Sequence, residues 1–285
     1  MDFTIKTYLK LLKILVKQGF SFYTFAEFLR KSEGRFVILR HDVDKLPVNA
    51  LVFAKIQYDL GLKGSYYFRA VPESWKEEII RQISEMGHEV GYHYEDIALA
   101  ITRQKVERPD MEAKLANFAI QSFNKNLEKL RRIVPVKTIC MHGSPMNRWD
   151  NRMLWKYYDY RDFGIIGEPY FNVNFKEVLY LTDTGRRWDG VNYNIRDKEC
   201  KYKTDEERTK SAKEKAPSPP LPLSYSFHTT FDIIKAAEEG LLPDKIMITF
   251  HPQRWTNQPL PWIKELVWQN TKNIAKYLLI KFRNK

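Results

Sequence analysis

Two aspartates one residue apart, Asp42 and Asp44, follow the apolar run Phe36-Val37-Ile38-Leu39 within the segment Arg40-His41-Asp42-Val43-Asp44. A β-branched run that stops on carboxylates reads as a buried strand delivering acids to the mouth of a site. Two further strand-like runs end on histidine, Glu89 to His93 and Ile246 to His251. Carboxylates and imidazoles at the ends of separate strands suggest a divalent-metal site with an acid/base pair beside it.

The elements that must position these residues are legible as short apolar runs alternating with amphipathic stretches, which predicts βα units and a parallel sheet. Strands are expected at 36–40, 65–69, 89–93, 137–142, 163–167, 178–182 and 245–251. Helices are expected at 47–60, closing on Gly61, at 74–86, closing on Gly87, and at 111–133, before Pro135. Tyr8, Leu11, Leu12 and Leu15 form one helical face near the start, a short helix covers 22–31, and a last helix spans 263–282. In parallel α/β folds, sites are built at the C-terminal ends of the strands, where His93, His142 and His251 fall.

A chain of 285 residues, 44% hydrophobic, has the length of one β/α barrel or one doubly wound sheet. One domain is expected over 1–285, with N-terminal helices over about 1–33 and an insertion at 196–222. That insertion holds eight basic and six acidic residues between 196 and 215, then a proline cluster, and reads as a mobile loop or lid dispensable for folding. Cys140 and Cys200 are too few for a disulfide framework and predict a reducing compartment. Lys6, Lys10, Lys13 and Lys17 interrupt the N-terminal apolar stretch, so no signal peptide, no transmembrane segment and a cytoplasmic location are expected. The net charge of +12 favours anionic partners, but no nucleic-acid motif accompanies it.

The Asp-x-Asp after the first strand, the run Gly87-His88-Glu89-Val90-Gly91-Tyr92-His93 and the late strand ending on His251 resemble the polysaccharide deacetylase family, carbohydrate esterase family four. The resemblance spans roughly Phe36 to Pro252. The variants Arg-His-Asp-Val-Asp and Gly-Tyr-His-Tyr-Glu resemble a branch linked to bacterial surface-polysaccharide synthesis. It implies a distorted seven-stranded (β/α) barrel and a metal-dependent amide hydrolase. Carried over, it makes Asp42 the general base, Asp44 and His93 metal ligands, and His251 the general acid. A carboxylate and a neutral imidazole suit zinc, whose bound water has its pKa lowered to about 7.

One position departs from that pattern. The family's second metal-binding histidine lies four residues after the first, and position 97 is Ile97. A third ligand is therefore expected from Glu95, Asp96 or His142, or the metal is absent. His142 stands where the family places an arginine that holds the catalytic aspartate, so it is read as either ligand or partner of Asp42.

Around this set, Asp183 at the end of the sixth strand is placed to orient His251. Tyr94, Trp188 and Trp255 offer flat faces for sugar rings, and Arg69, Arg186, Arg187 and Arg254 are placed to hold a phosphate or carboxylate of a substrate. His88 is read as structural, His41 as packed by strand alternation, and His228 as either a loop contribution to the site or part of a helix cap. The leading expectation is removal of an acetyl group from an N-acetylated sugar or saccharide precursor, phosphorylated or not. The alternatives are another amide hydrolase on the same barrel and a saccharide-binding pseudoenzyme with a broken metal triad.

Overall fold

In the computed structural model, which describes residues 1–104, 112–143, 149–189 and 227–283, an all-parallel sheet curls around an inner core and carries helices on its outer face. The strands are β1 (Ser21–Tyr23), β2 (Phe36–Val43), β3 (Ser65–Phe68), β4 (Glu89–Tyr94), β5 (Ile139–Met141), β6 (Leu179–Thr182) and β7 (Lys245–Phe250). Their order is β5-β4-β3-β2-β7-β6, with β1 also paired to β2. β2 uses Phe36–His41 for β7 on one edge, Phe36–Ile38 for β1 and Arg40–Val43 for β3, so β1 takes the edge that β3 leaves free.

The helices are α1 (Ile5–Lys17), α2 (Phe25–Arg30), α3 (Pro47–Asp59), α4 (Glu77–Glu85), α5 (Asp96–Gln104), α6 (Glu112–Arg131), α7 (Pro169–Asn172), α8 (Thr230–Glu238) and α9 (Pro259–Arg283). The face Tyr8, Leu11, Leu12 and Leu15 of α1 is wholly buried, each side chain of this size contributing about 1.5–3 kcal/mol. Thr4 caps that helix by accepting from the Thr7 amide at 3.1 Å.

Two cores follow from the period-two alternation of the strands. Val37, Leu39 and Val43 of β2 face the helices, whereas Phe36 and Ile38 face into the curl with Tyr67, Cys140 and Met247. Arg40 and Asp42 continue the inner row, which carries the carboxylate to the C-terminal mouth. Gly91 lets the inner side chains cross, because a Cβ there would stand 2.4 Å from the Tyr67 ring and 2.9 Å from the Thr138 carbonyl.

The expected strand at 163–167 does not form. Tyr160–Phe163 is a 3₁₀ turn ended by Gly164 at φ 66°, and only Gly167 makes an isolated bridge, to Thr138 just before β5. Tyr170, Val173 and Val178, from the connection into β6, pack on the inner core instead, so the sheet is a curled half-barrel among the described residues. Four elements were not anticipated, β1, α5, α7 and α8, and the expected insertion at 196–222 lies outside the described residues. No helix among the described residues is long and apolar enough to cross a membrane.

Candidate metal centre

Asp44 follows β2 directly, and its two carboxylate oxygens have different surroundings. Oδ2 accepts from Gln253 Nε2 at 2.9 Å, and Gln253 comes from the turn after β7. Oδ1 is buried and has no hydrogen-bond partner. His93 Nε2 and His142 Nε2 each stand 3.6 Å from that oxygen.

The opposite nitrogen of each imidazole is committed. His93 Nδ1 donates to the Cys140 carbonyl at 2.9 Å, and His142 Nδ1 donates to Glu95 Oε2 at 2.9 Å. Both Nε2 lone pairs are thereby turned toward Asp44, the outer-sphere arrangement that orients metal-ligating imidazoles. Ligands bound tetrahedrally at about 2.0–2.2 Å stand about 3.3–3.6 Å apart, which the observed spacing matches. An orphaned buried oxygen facing two free imidazole nitrogens fits a divalent cation. Asp42, His93 and Cys140 form a second, deeper group whose atoms also lie within 4.8 Å of one another. Asp42 is less available there, because its oxygens accept from Arg40 Nε at 2.8 Å and Nη2 at 2.7 Å.

Burial pushes the Asp42 carboxyl up, yet the Arg40 guanidinium, His93 and His251 outweigh it and hold the group below the ordinary aspartate value. Asp44 is held well below it, burial being overcome chiefly by His93 and His142. Asp42 Oδ2 is 3.7 Å from His93 Nε2.

On the facing side, His251 presents Nε2 4.0 Å from Asp44 Oδ2. Its Nδ1 donates to Asp183 Oδ1 at 2.5 Å, and its backbone N–H donates to Asp183 Oδ2 at 3.0 Å. Asp183 is fully buried and also accepts from Arg254 Nη1 at 3.1 Å and Trp255 Nε1 at 2.6 Å. Burial raises its carboxyl, but His251 and Arg254 outweigh that, so it is ionised and fixes the ring. No family model matches the chain, and no curated protein matches it.

The structure brings Asp42, Asp44, His93, His142, His251 and Asp183 together, and it replaces several expectations about their neighbours. Ile97 lies in the outer hydrophobic core, turned away from the centre, and His142 supplies the second imidazole. Glu95 lies behind His142 and is gripped by Arg69 through Nε and Nη2, both at 2.9 Å. Asp96 faces the helices, accepting from Tyr92 Oη at 2.8 Å and Asn126 Nδ2 at 3.0 Å.

Tyr94 and Trp188 are not stacking platforms: Tyr94 packs edge-on against Phe123 and Trp155, and Trp188 packs among Phe3, Phe250 and Trp255 in the core. A sugar ring needs an uncovered aromatic face, and these have none. The forks of Arg69 and Arg254 are likewise occupied inside the protein, on Glu95 and Asp183, and Arg187 pairs with Asp189 at 2.7 Å.

His41, stacked 4.1 Å from Tyr66 and held by Ser65 O and Gln57, is pushed down to about 3 by burial. His88 bridges Gly64 N and Ala54 O at the far end of the strands. His228 precedes the Thr229 cap of α8 and is 3.3 Å from Asp189, outside the cluster. Two contributors were missed, Arg40 and Gln253. Arg40 was detectable in principle, since residues i and i+2 of a strand share a face.

Proposed function

We propose that this protein is a metal-dependent hydrolase that removes the N-acetyl group from a sugar or saccharide precursor, of the polysaccharide deacetylase type, with zinc as the ion. The observation that carries the reading is Asp44 Oδ1, buried, unpartnered and faced by two imidazole nitrogens at 3.6 Å. Asp44, His93 and His142 would hold the ion, which supplies Lewis acidity and a water of lowered pKa.

The chain's own groups supply the proton chemistry. Asp42, kept ionised by Arg40, is placed as the base that takes a proton from the attacking water. His251 is placed as the acid that returns a proton to the departing amine, with Asp183 as the positioning residue that fixes its tautomer and orientation. Arg69 grips Glu95, Glu95 orients His142, and Gln253 sets the rotation of the Asp44 carboxylate.

Metal analysis of the purified protein, paired with acetate release from N-acetylated sugars, tests the reading. One equivalent of bound ion with metal-dependent acetate release is expected. No saturable binding of zinc or cobalt, with no acetate from any such sugar, would leave a saccharide-binding protein without catalysis.

A further inference from the structure

Helix α9 turns a polar stripe inward and an apolar stripe outward. Glu265, Gln269 and Asn273, spaced four residues apart, face the protein. Gln269 and Asn273 are buried, Gln269 Nε2 donates to Glu265 Oε1 at 2.5 Å, and Asn273 Nδ2 donates to the Gly185 carbonyl at 3.0 Å. Lys45, next to Asp44, reaches Glu265 at 3.7 Å, and Arg186 Nη1 donates to the Trp262 carbonyl at 2.8 Å. Polar contacts thus fasten the helix. On the opposite side Leu260, Ile263, Val267 and Ile274 are 80%, 51%, 60% and 63% exposed.

At about 100° per residue these four positions fall within about 60° of one another, so they form one continuous stripe. Thr271, on the same stripe, turns its hydroxyl back onto the Val267 carbonyl at 3.0 Å, and Asn270 borders it. Lys264, Trp268 and Lys272 run along the other flank at intervals of four residues. The Lys272 ammonium stands 5.1 Å from the ring centroid of Trp268, which is 52% exposed. Over its length the helix sequence holds Lys264, Lys272, Lys276, Lys281 and Arg283 against one acid, Glu265, and that acid is turned inward onto Lys45.

A contiguous apolar stripe in water is unfavourable, and whatever covers it must also accept positive charge. A second copy of this chain would bring the same five cations to the contact, whereas an anionic lipid surface satisfies the stripe and the charge together. We infer that α9 lies on a membrane surface rich in anionic lipid, with Leu260, Ile263, Val267 and Ile274 sunk to the acyl boundary and Lys264 and Lys272 at the phosphates. An indole flanked by lysines is the side-chain set that helices lying in this interface use. The inference is independent of the deacetylase reading.

Flotation of the full chain with phosphatidylcholine vesicles, with and without phosphatidylglycerol, provides the test. The wild type is expected to bind the acidic vesicles about 10-fold more tightly or more than the neutral ones. Ile263→Gln combined with Val267→Gln should weaken binding to the acidic vesicles by about 10-fold or more, because it removes two side chains from the apolar stripe. Lys264→Gln should weaken it about 5-fold and leave the neutral vesicles unaffected. Glutamine is a good helix former and all three positions are exposed, so the urea midpoints should match that of the wild type and a loss of binding reads the surface. No binding of the wild type to acidic vesicles, or binding untouched by the paired glutamines, would overturn the inference. A wild-type dimer in sedimentation velocity that the same pair converts to monomer would also overturn it, since a second copy would then cover the stripe.

Discussion

Arg40 and Asp42 stand two residues apart on one strand and meet through both carboxylate oxygens, at 2.8 and 2.7 Å, with both side chains almost wholly buried. The pair lies in the inner row of β2, below the mouth where Asp44 turns toward the imidazoles. It keeps a charge in place that burial alone would neutralise.

Removing one member of such a pair strands the other in a medium of low polarity. Arg40→Met should therefore lower stability by about 3–5 kcal/mol. Urea unfolding with an unchanged m-value measures this, and a loss below about 1 kcal/mol would mean that Asp42 does not depend on Arg40.

Ligation and proton transfer are assigned to different aspartates. Asp44→Ala should lose the ion, because it removes the oxygen shared by His93 and His142. Asp42→Asn should retain the ion and lose about 100- to 10,000-fold in rate. Metal content and acetate release on the same preparations check the division, and equal metal loss in the two variants would contradict it.

Of the three candidates for the third ligand, Glu95, Asp96 and His142, it is His142 that faces Asp44, which yields a graded series. His142→Ala should abolish metal binding, whereas Glu95→Gln, which removes only the charge that orients the ring, should weaken it about 10- to 100-fold. Ile97→His should not rescue His142→Ala, because position 97 lies in the outer core and an imidazole there is buried away from the ion. Zinc titration of the three proteins is the measurement, and restored binding in the double variant would place residue 97 at the centre after all.

A pH effect follows from Glu168, fully buried between the Met141 and Tyr170 amides at 3.0 and 2.6 Å. Burial pushes its carboxyl from 4.5 up to about 7, against those amides and the nearby Arg40 and Arg152. A folded value above the unfolded one means that its contribution is fully present below about pH 4.5 and is lost as pH rises through about 7, a change on the order of 3 kcal/mol. Glu168→Gln should flatten the fall in stability between pH 5 and pH 8. It should also be less stable at pH 5, since the two backbone N–H groups bond different oxygens of Glu168 and Gln places an NH2, which cannot accept, at one of them. An unchanged slope in urea unfolding across that range would refute the assignment.

Much of the frame was legible because its signals are local. The run Phe36 to Leu39 is β-branched and apolar, and the strand it predicts extends to Val43. The apolar spacing of Tyr8, Leu11, Leu12 and Leu15 predicts the buried face of α1. The segment 163–167 failed because its apolar residues pack on the rest of the protein from a 3₁₀ turn and a single bridge, and residue types alone do not separate that from a short strand. Tyr94 and Trp188 failed as platforms for a related reason: whether an aromatic lines a mouth or fills a core depends on what packs over it.

The sequence by itself determined which residues reach the C-terminal ends of the strands, because alternation and strand-ending polar residues are properties of neighbouring positions. Asp42, Asp44, His93 and His251 were placed by that logic. Asp183 beside His251 was expected from its place at the end of the sixth strand, and His142 was one of three candidates; only the tertiary structure decided that His142, forty-nine positions beyond His93, is the one that faces Asp44, that Arg40 holds Asp42, and that Glu95 orients His142. Those pairings depend on the order of strands around the curled sheet and on which loops meet at its mouth, and both are set by packing between segments far apart in the chain.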